Sequence, residues 1–192
     1  GPLTNLARAF QRDPALSGLI DQIVMTGGSI SGRGKISPCA EFNFYFDPLS
    51  AQSVIKSRTT KTLVPLDVTR QVTFGLDMLE QLPQSDTRTG YFLRQVLPYS
   101  FRAYRQQLGL ESIILNDAAG ALALVEPDLF EYMEMGCDVE TEGALTRGML
   151  VTDRRTVSDW RPNVNVMTAV KADQAKQSIL DQLMLSGNAS TG

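Results

Sequence analysis

Leu19, Ile20, Ile23, Val24 and Met25 form an apolar run that stops at Thr26-Gly27-Gly28. A run this short, closed by glycine, suits a buried strand, and the paired glycines allow a close turn at its C-terminal end. Ser29 to Ser37 is rich in residues that break regular structure and reads as a loop. After Asp47-Pro48, the positions Ser50, Ala51, Val54 and Ile55 read as a helix with an acidic cap and proline in its first turn. A second apolar run, Leu63 to Thr69, predicts another strand, with Pro65 arguing against a central place.

The same reading continues along the chain. Thr4 is a candidate N-cap for a short amphipathic helix carrying Leu6, Ala7 and Phe10. Helical spacing extends over Arg70 to Leu82 and Thr87 to Leu108, the latter interrupted by Pro98. Ile113 to Leu115 lead into Asn116-Asp117, which caps a helix over Ala118 to Val125. Cys137 to Thr141, Gly148 to Asp153 and Val164 to Val170 alternate as three short, meandering antiparallel strands, and Asp173 to Leu185 is a last helix. Early alternation of strands and helices followed by a late strand cluster implies an α/β fold with a mixed sheet. Residues 186–192 have the composition of a flexible tail.

Composition narrows the chemistry. Eighteen basic against 21 acidic residues, interspersed, give a net charge of −3 and no footprint for nucleic acid or an anionic membrane. No apolar stretch reaches the roughly 18 residues a membrane span needs. Cys39 and Cys137 make no metal spacing and suit reduced thiols of a cytoplasmic protein. Histidine is absent, which removes imidazole acid–base chemistry and most zinc sites, so any metal should be a hard cation held by oxygen.

Glu41 and Asn43 stand two positions apart inside an aromatic run. If that run is extended, the two polar groups share a side and Phe42 faces away, an arrangement suited to gripping a hydroxylated ligand or to an ordinary solvated strand end. Met25 and Thr26 border the glycine turn, where a pocket could open.

Several stretches together resemble the nucleoside hydrolase family. They are Gly1-Pro2-Leu3-Thr4-Asn5-Leu6-Ala7, Ile23-Val24-Met25-Thr26-Gly27-Gly28, Pro38-Cys39-Ala40-Glu41-Phe42-Asn43 with Asp47-Pro48, and Val64-Pro65-Leu66-Asp67-Val68-Thr69. Leu115-Asn116-Asp117 and Leu145-Thr146-Arg147-Gly148 with Asp153-Arg154-Arg155 complete the set, in the family's order. The resemblance implies a Rossmann-like open mixed sheet flanked by helices, with residues 1–185 the C-terminal portion of one domain. It implies hydrolysis of the N-glycosidic bond of ribonucleosides by a calcium-activated water, and a homo-oligomer.

Residue by residue, the resemblance makes Asp117 a Ca2+ ligand, although an aspartate there is also an ordinary helix cap. It makes Glu41 and Asn43 contacts to ribose hydroxyls, Phe42 and Met25 pocket residues, and Tyr104 a contact to the base or a core residue. Lys35 stands where the family commonly has a ribose-binding asparagine. Asn116 stands where many members have histidine; it can contact the leaving group by a hydrogen bond but cannot supply a proton. The family's opening aspartate-rich loop has no match, so the chain is expected to be a portion of a larger site, inactive alone. Two alternatives follow from the departures: a catalytically impaired nucleoside- or ribose-binding relative, and a hydrolase of another ribosyl conjugate.

Overall fold

A computed structural model describes residues 1–188. The elements run α1 (Thr4–Arg12), α2 (Leu16–Leu19), β1 (Gln22–Thr26), α3 (Phe42–Phe46), α4 (Pro48–Ile55), β2 (Thr60–Val64), α5 (Leu66–Thr69) and β3 (Thr73–Phe74). They continue with α6 (Arg88–Leu108), β4 (Ile113–Ile114), α7 (Asn116–Val125), β5 (Phe130–Met135), β6 (Cys137–Val139), β7 (Leu150–Thr152), β8 (Val164–Val170) and α8 (Ala172–Asn188). Backbone packing gathers them into two compact units, Gly1–Val68 with Ala123–Val170, and Thr69–Leu122 with the segment from Lys171.

The first unit is built on a four-stranded sheet of order β1-β2-β8-β5. β1, β2 and β8 run parallel, and β5 runs antiparallel along β8. Parallel strands are covered on both faces, which is why Leu63, Val64 and Val166 carry no exposed surface. Phe44, Val54, Ile55, Val139 and Leu150 share a core with Leu63 and Val166. Because β1 and β2 are parallel, their C-terminal ends, Thr26 and Val64, lie side by side, and the loops leaving them emerge together. Open α/β sheets place ligands at such an edge. β6 and β7 form a separate antiparallel pair. In the second unit, β3 and β4 pair antiparallel, and α6 runs unbroken through Pro98 from its Thr87 cap to Gly109, whose φ of 67° closes the helix.

The mixed α/β sheet is the one the sequence implies, with local corrections besides the unbroken passage of α6 through Pro98. The segment after Cys39 is not extended, because Glu41 caps a helix, α3. Thr4 does not cap α1; its hydroxyl donates to Asp47 instead. The second strand ends at Val64, and beyond Pro65 the chain turns into α5. Arg70 to Leu82 is a two-residue strand and a 3₁₀ turn rather than a helix, since Val72, Phe74 and Met78 are buried without a continuous helical face. β8 does not close the late cluster but inserts beside β2, and β5, absent from the sequence reading, takes the sheet edge. The helix α8 runs to Asn188, through the start of the expected tail; residues 189–192 lie outside those described. No helix among the described residues is long and apolar enough to cross a membrane.

Candidate functional site

The site begins where β1 ends. Gly28 adopts φ 62°, a backbone open to glycine, and a Cβ there would come within 2.8 Å of Leu150 Cβ. A Cβ on Gly27 would stand 2.5 Å from the Phe44 ring and 3.3 Å from Glu41 Oε2. These glycines therefore let α3 approach the strand end closely enough to deliver two polar side chains.

Glu41 is 7% exposed, and its Oε2 accepts from the Asn43 N–H at 2.8 Å and the Phe44 N–H at 3.4 Å. The Gly28 N–H also donates to this carboxylate. Burial pushes the Glu41 carboxyl above its ordinary value, and the three N–H donors only partly counter that. A carboxylate offers about four acceptor sites, so three donors leave room for one more. Asn43, 8% exposed, donates from Nδ2 to the Thr26 carbonyl at 3.1 Å. Its Oδ1 has no partner among the described residues. The two side chains thus present acceptors, the complement of hydroxyl donors.

Phe42 is exposed and its ring lies 5.7 Å from that of Phe46, so it is a surface aromatic beside the polar pair and not core. Met25 packs in the apolar core with Phe44. Thr26 is engaged by Asn43 through its carbonyl and, at 3.5 Å, its hydroxyl. Lys35 is exposed on the loop, its N–H donating to the Ala40 carbonyl at 2.9 Å. All of these belong to the first unit.

Asn116, Asp117 and Tyr104 belong to the second unit. Asp117 is exposed in the first turn of α7. Asn116 Oδ1 is buried with no hydrogen-bond partner among the described residues. The Tyr104 hydroxyl donates to the Ile114 carbonyl at 3.4 Å, which ties the side chain to β4. A hard cation takes 6 to 8 oxygen ligands. Among the described residues no group of three or more Asp, Glu, His or Cys gathers to hold one. Asp117 and the orphaned Asn116 oxygen are suitable donors, and alone they do not complete a site.

Two features that sequence reasoning named without a role support this geometry. Arg147 donates to the Tyr45 carbonyl at 2.8 Å and lies over the Tyr45 ring at 5.3 Å, capping the end of α3. Gly148, at φ 78°, passes so close that a Cβ would meet Tyr45 Cα at 2.5 Å. Both sit in the Leu-Thr-Arg-Gly word, whose glycine permits so close a backbone approach.

The model of the inosine-uridine preferring nucleoside hydrolases matches residues 1–177. The chain belongs to this family. It is 30% identical over 184 residues to a pyrimidine-specific ribonucleoside hydrolase, RihA, of Shigella boydii, covering 95% of this chain and 59% of the relative. A solved plant nucleoside hydrolase superposes with a TM-score of 0.88 at 28% identity, over 96% of this chain and 60% of that one. A purine-preferring ribonucleoside hydrolase from Gardnerella vaginalis gives 0.86 at 26% identity, over 100% and 60%. This nucleoside hydrolase chain therefore spans about three fifths of the length of the relatives it matches.

Proposed function

We propose that the intact protein hydrolyses the N-glycosidic bond of ribonucleosides, converting nucleoside and water to ribose and base. The observation that carries the reading is the pair of acceptors, Glu41 and Asn43 Oδ1, held at the carboxyl end of β1. Glu41 accepts a hydrogen bond from a ribose hydroxyl and sets negative charge near the oxocarbenium-like centre, where it counts most in the transition state. Asn43, its donor side committed to Thr26, accepts a second hydroxyl. Phe42 covers the nucleoside, Lys35 borders the sugar, and Tyr104 meets the base, while Met25, which the resemblance also offered, backs the site from the core. Asn116 contacts the leaving group as a hydrogen-bond partner.

Asp117 is the proposed ligand from this chain for a calcium ion, whose chemistry when bound is to polarise water and grip the ribose diol. The remaining ligands would come from an aspartate-rich segment outside residues 1–192. A homo-oligomer and a cytoplasmic location belong to the same reading, to be tested by light scattering and fractionation.

The test compares the intact protein with the 192-residue chain on a panel of purine and pyrimidine ribonucleosides, with and without a chelator. The expected result is base release by the intact protein, lost on chelation and restored by Ca2+, and neither turnover nor tight Ca2+ binding by the 192 residues alone. Calcium-dependent turnover by the 192 residues would overturn the division of the site. Asn116, in place of a protonatable group, favours a second reading as a binding relative, which calorimetry showing nucleoside binding without cleavage would establish. Cleavage confined to ribosyl conjugates outside the panel would replace both.

A further inference from the structure

We propose that Asp67 is a positioning residue for the ribose-binding half-site, holding the start of the loop that leaves β1 and leads into Glu41. Its functional consequence rests on the ribonucleoside reading above; the clamp itself does not.

Asp67 sits in the first turn of α5, just past the end of β2, and reaches back across the sheet edge to the loop after β1. Its Oδ2 accepts from the Ile30 N–H at 2.6 Å and from Ser29 Oγ at 3.0 Å, while Oδ1 accepts from the Ser31 N–H at 3.0 Å. Donors from three consecutive residues thus converge on one carboxylate. Ser29 Oγ in turn accepts from the Arg33 N–H at 3.2 Å, carrying the clamp further along the loop. Burial alone would raise the Asp67 carboxyl, yet hydrogen bonds from Ser31, Ile30 and Ser29 outweigh it and hold the group below its ordinary value, so it is ionised and at full strength as an acceptor.

The rest of the loop's backbone is tied at both ends. Gly27 N–H donates to the Val64 carbonyl at 3.3 Å and Leu66 N–H to the Gly28 carbonyl at 3.0 Å. The Arg154 guanidinium donates to the Ile30 carbonyl from the other side. Farther on, Gly34 N–H donates to the Pro38 carbonyl at 2.9 Å and Lys35 N–H to the Ala40 carbonyl at 2.9 Å, the residue before Glu41. The loop is therefore a strap with Asp67 near its start and Glu41 just past its end, and the glycine turn ahead of Ser29 stands against the Glu41 carboxylate, a Cβ on Gly27 falling 3.3 Å from its Oε2. Releasing Ser29 to Ser31 frees the stretch between the anchored glycine turn and the segment that bears Lys35 and leads into Glu41.

The test uses the full-length protein carrying Asp67→Asn, whose amide turns a donor toward donors, and Ser29→Ala, which removes one donor and leaves the carboxylate. Amide hydrogen exchange at Ile30 and Ser31 reads the clamp without reference to activity. Steady-state kinetics on a ribonucleoside reads its consequence. The expected result for Asp67→Asn is faster exchange confined to the loop and a KM raised about tenfold, the loss of one charge-assisted hydrogen bond's worth of positioning. Ser29→Ala should give a smaller effect in the same sense, and Asp67→Glu partial recovery. A role in stability alone would lower apparent kcat through loss of folded enzyme and leave KM unchanged. Faster exchange with unchanged KM, or unchanged exchange in both variants, overturns the proposal. If the wild type shows protected amides but no ribonucleoside turnover, the functional reading fails while the clamp stands.

Discussion

Glu41 and Asp47 are the same device used twice within seven residues. Each is an acidic N-cap whose side chain accepts backbone N–H bonds at the start of a short helix, α3 for Glu41 and α4 for Asp47. Their surroundings set them apart. Asp47 is half-buried and accepts from Thr4 Oγ1 at 2.6 Å, Ser50 Oγ at 2.7 Å and the Ser50 N–H at 3.1 Å. Side-chain hydrogen bonding from Thr4, reinforced by Ser50, holds its carboxyl below the ordinary value. Glu41 is buried against the glycine turn, has only backbone donors, and its carboxyl is pushed up. One carboxylate is satisfied by its own chain; the other is kept under-satisfied in a place where a ligand hydroxyl could complete it. Aspartate is a favoured cap and glutamate is not, so the choice of glutamate at residue 41 already marks that position as serving more than the helix.

The contrast can be broken most forcefully at Glu41. Glu41→Ala in the intact protein should lower kcat/KM about 100-fold or more, since hydrogen bonds that strengthen at an oxocarbenium-like centre supply several kcal/mol. It should also cost about 1–2 kcal/mol of stability through the lost cap and three orphaned N–H groups. Kinetics and denaturant unfolding on the same preparation separate the two effects. Asp47→Ala should show the reverse proportion: a stability loss of about 1–2 kcal/mol, read as a few degrees in Tm, with kcat/KM within about twofold of wild type. Equal losses of activity in both variants would mean that α4, and not the carboxylate at 41, carries the function.

The same pair explains what could be read in advance. Asp47-Pro48 was legible because its chemistry is local: an acidic cap, proline at the first helical position and apolar residues at helical spacing all point one way. Glu41 and Asn43 were recognisable as a polar pair, but from a two-residue period that the structure does not use; they share a site because α3 begins at Phe42. β5 escaped because Glu131, Tyr132, Met133 and Glu134 are exposed along an edge strand and leave no alternation to detect. Asp67 lies inside a recognisable word whose apolar pattern reads as a strand, and its partners stand 36 to 38 residues away. Contacts of that range leave no periodic trace. The position of β8 beside β2 is equally long-range, which is why strands could be found more readily than their neighbours.

The smallest expected effect is also the sharpest test of the difference, because it turns on sign. Glu41 has a folded value raised above 4.5, so its contribution is fully present below about 4.5 and is lost as pH rises through the folded value. Asp47 has a folded value below 3.8, so its contribution is present above about 3.8 and is lost as pH falls through the folded value. Against Glu41→Gln, which removes the desolvated charge, wild type should therefore gain in relative Tm as the pH is lowered from about 7 toward about 4.5. Against Asp47→Asn it should lose its advantage on going below about 3.8. Thermal melts of the three proteins across that range check both slopes, and slopes of the same sign would erase the distinction between a carboxylate held for a ligand and one held for a helix. Addition of ribose or a nucleoside should flatten the first slope and leave the second, because a hydroxyl donated to Glu41 favours its ionised form, whereas Asp47 already has its donors.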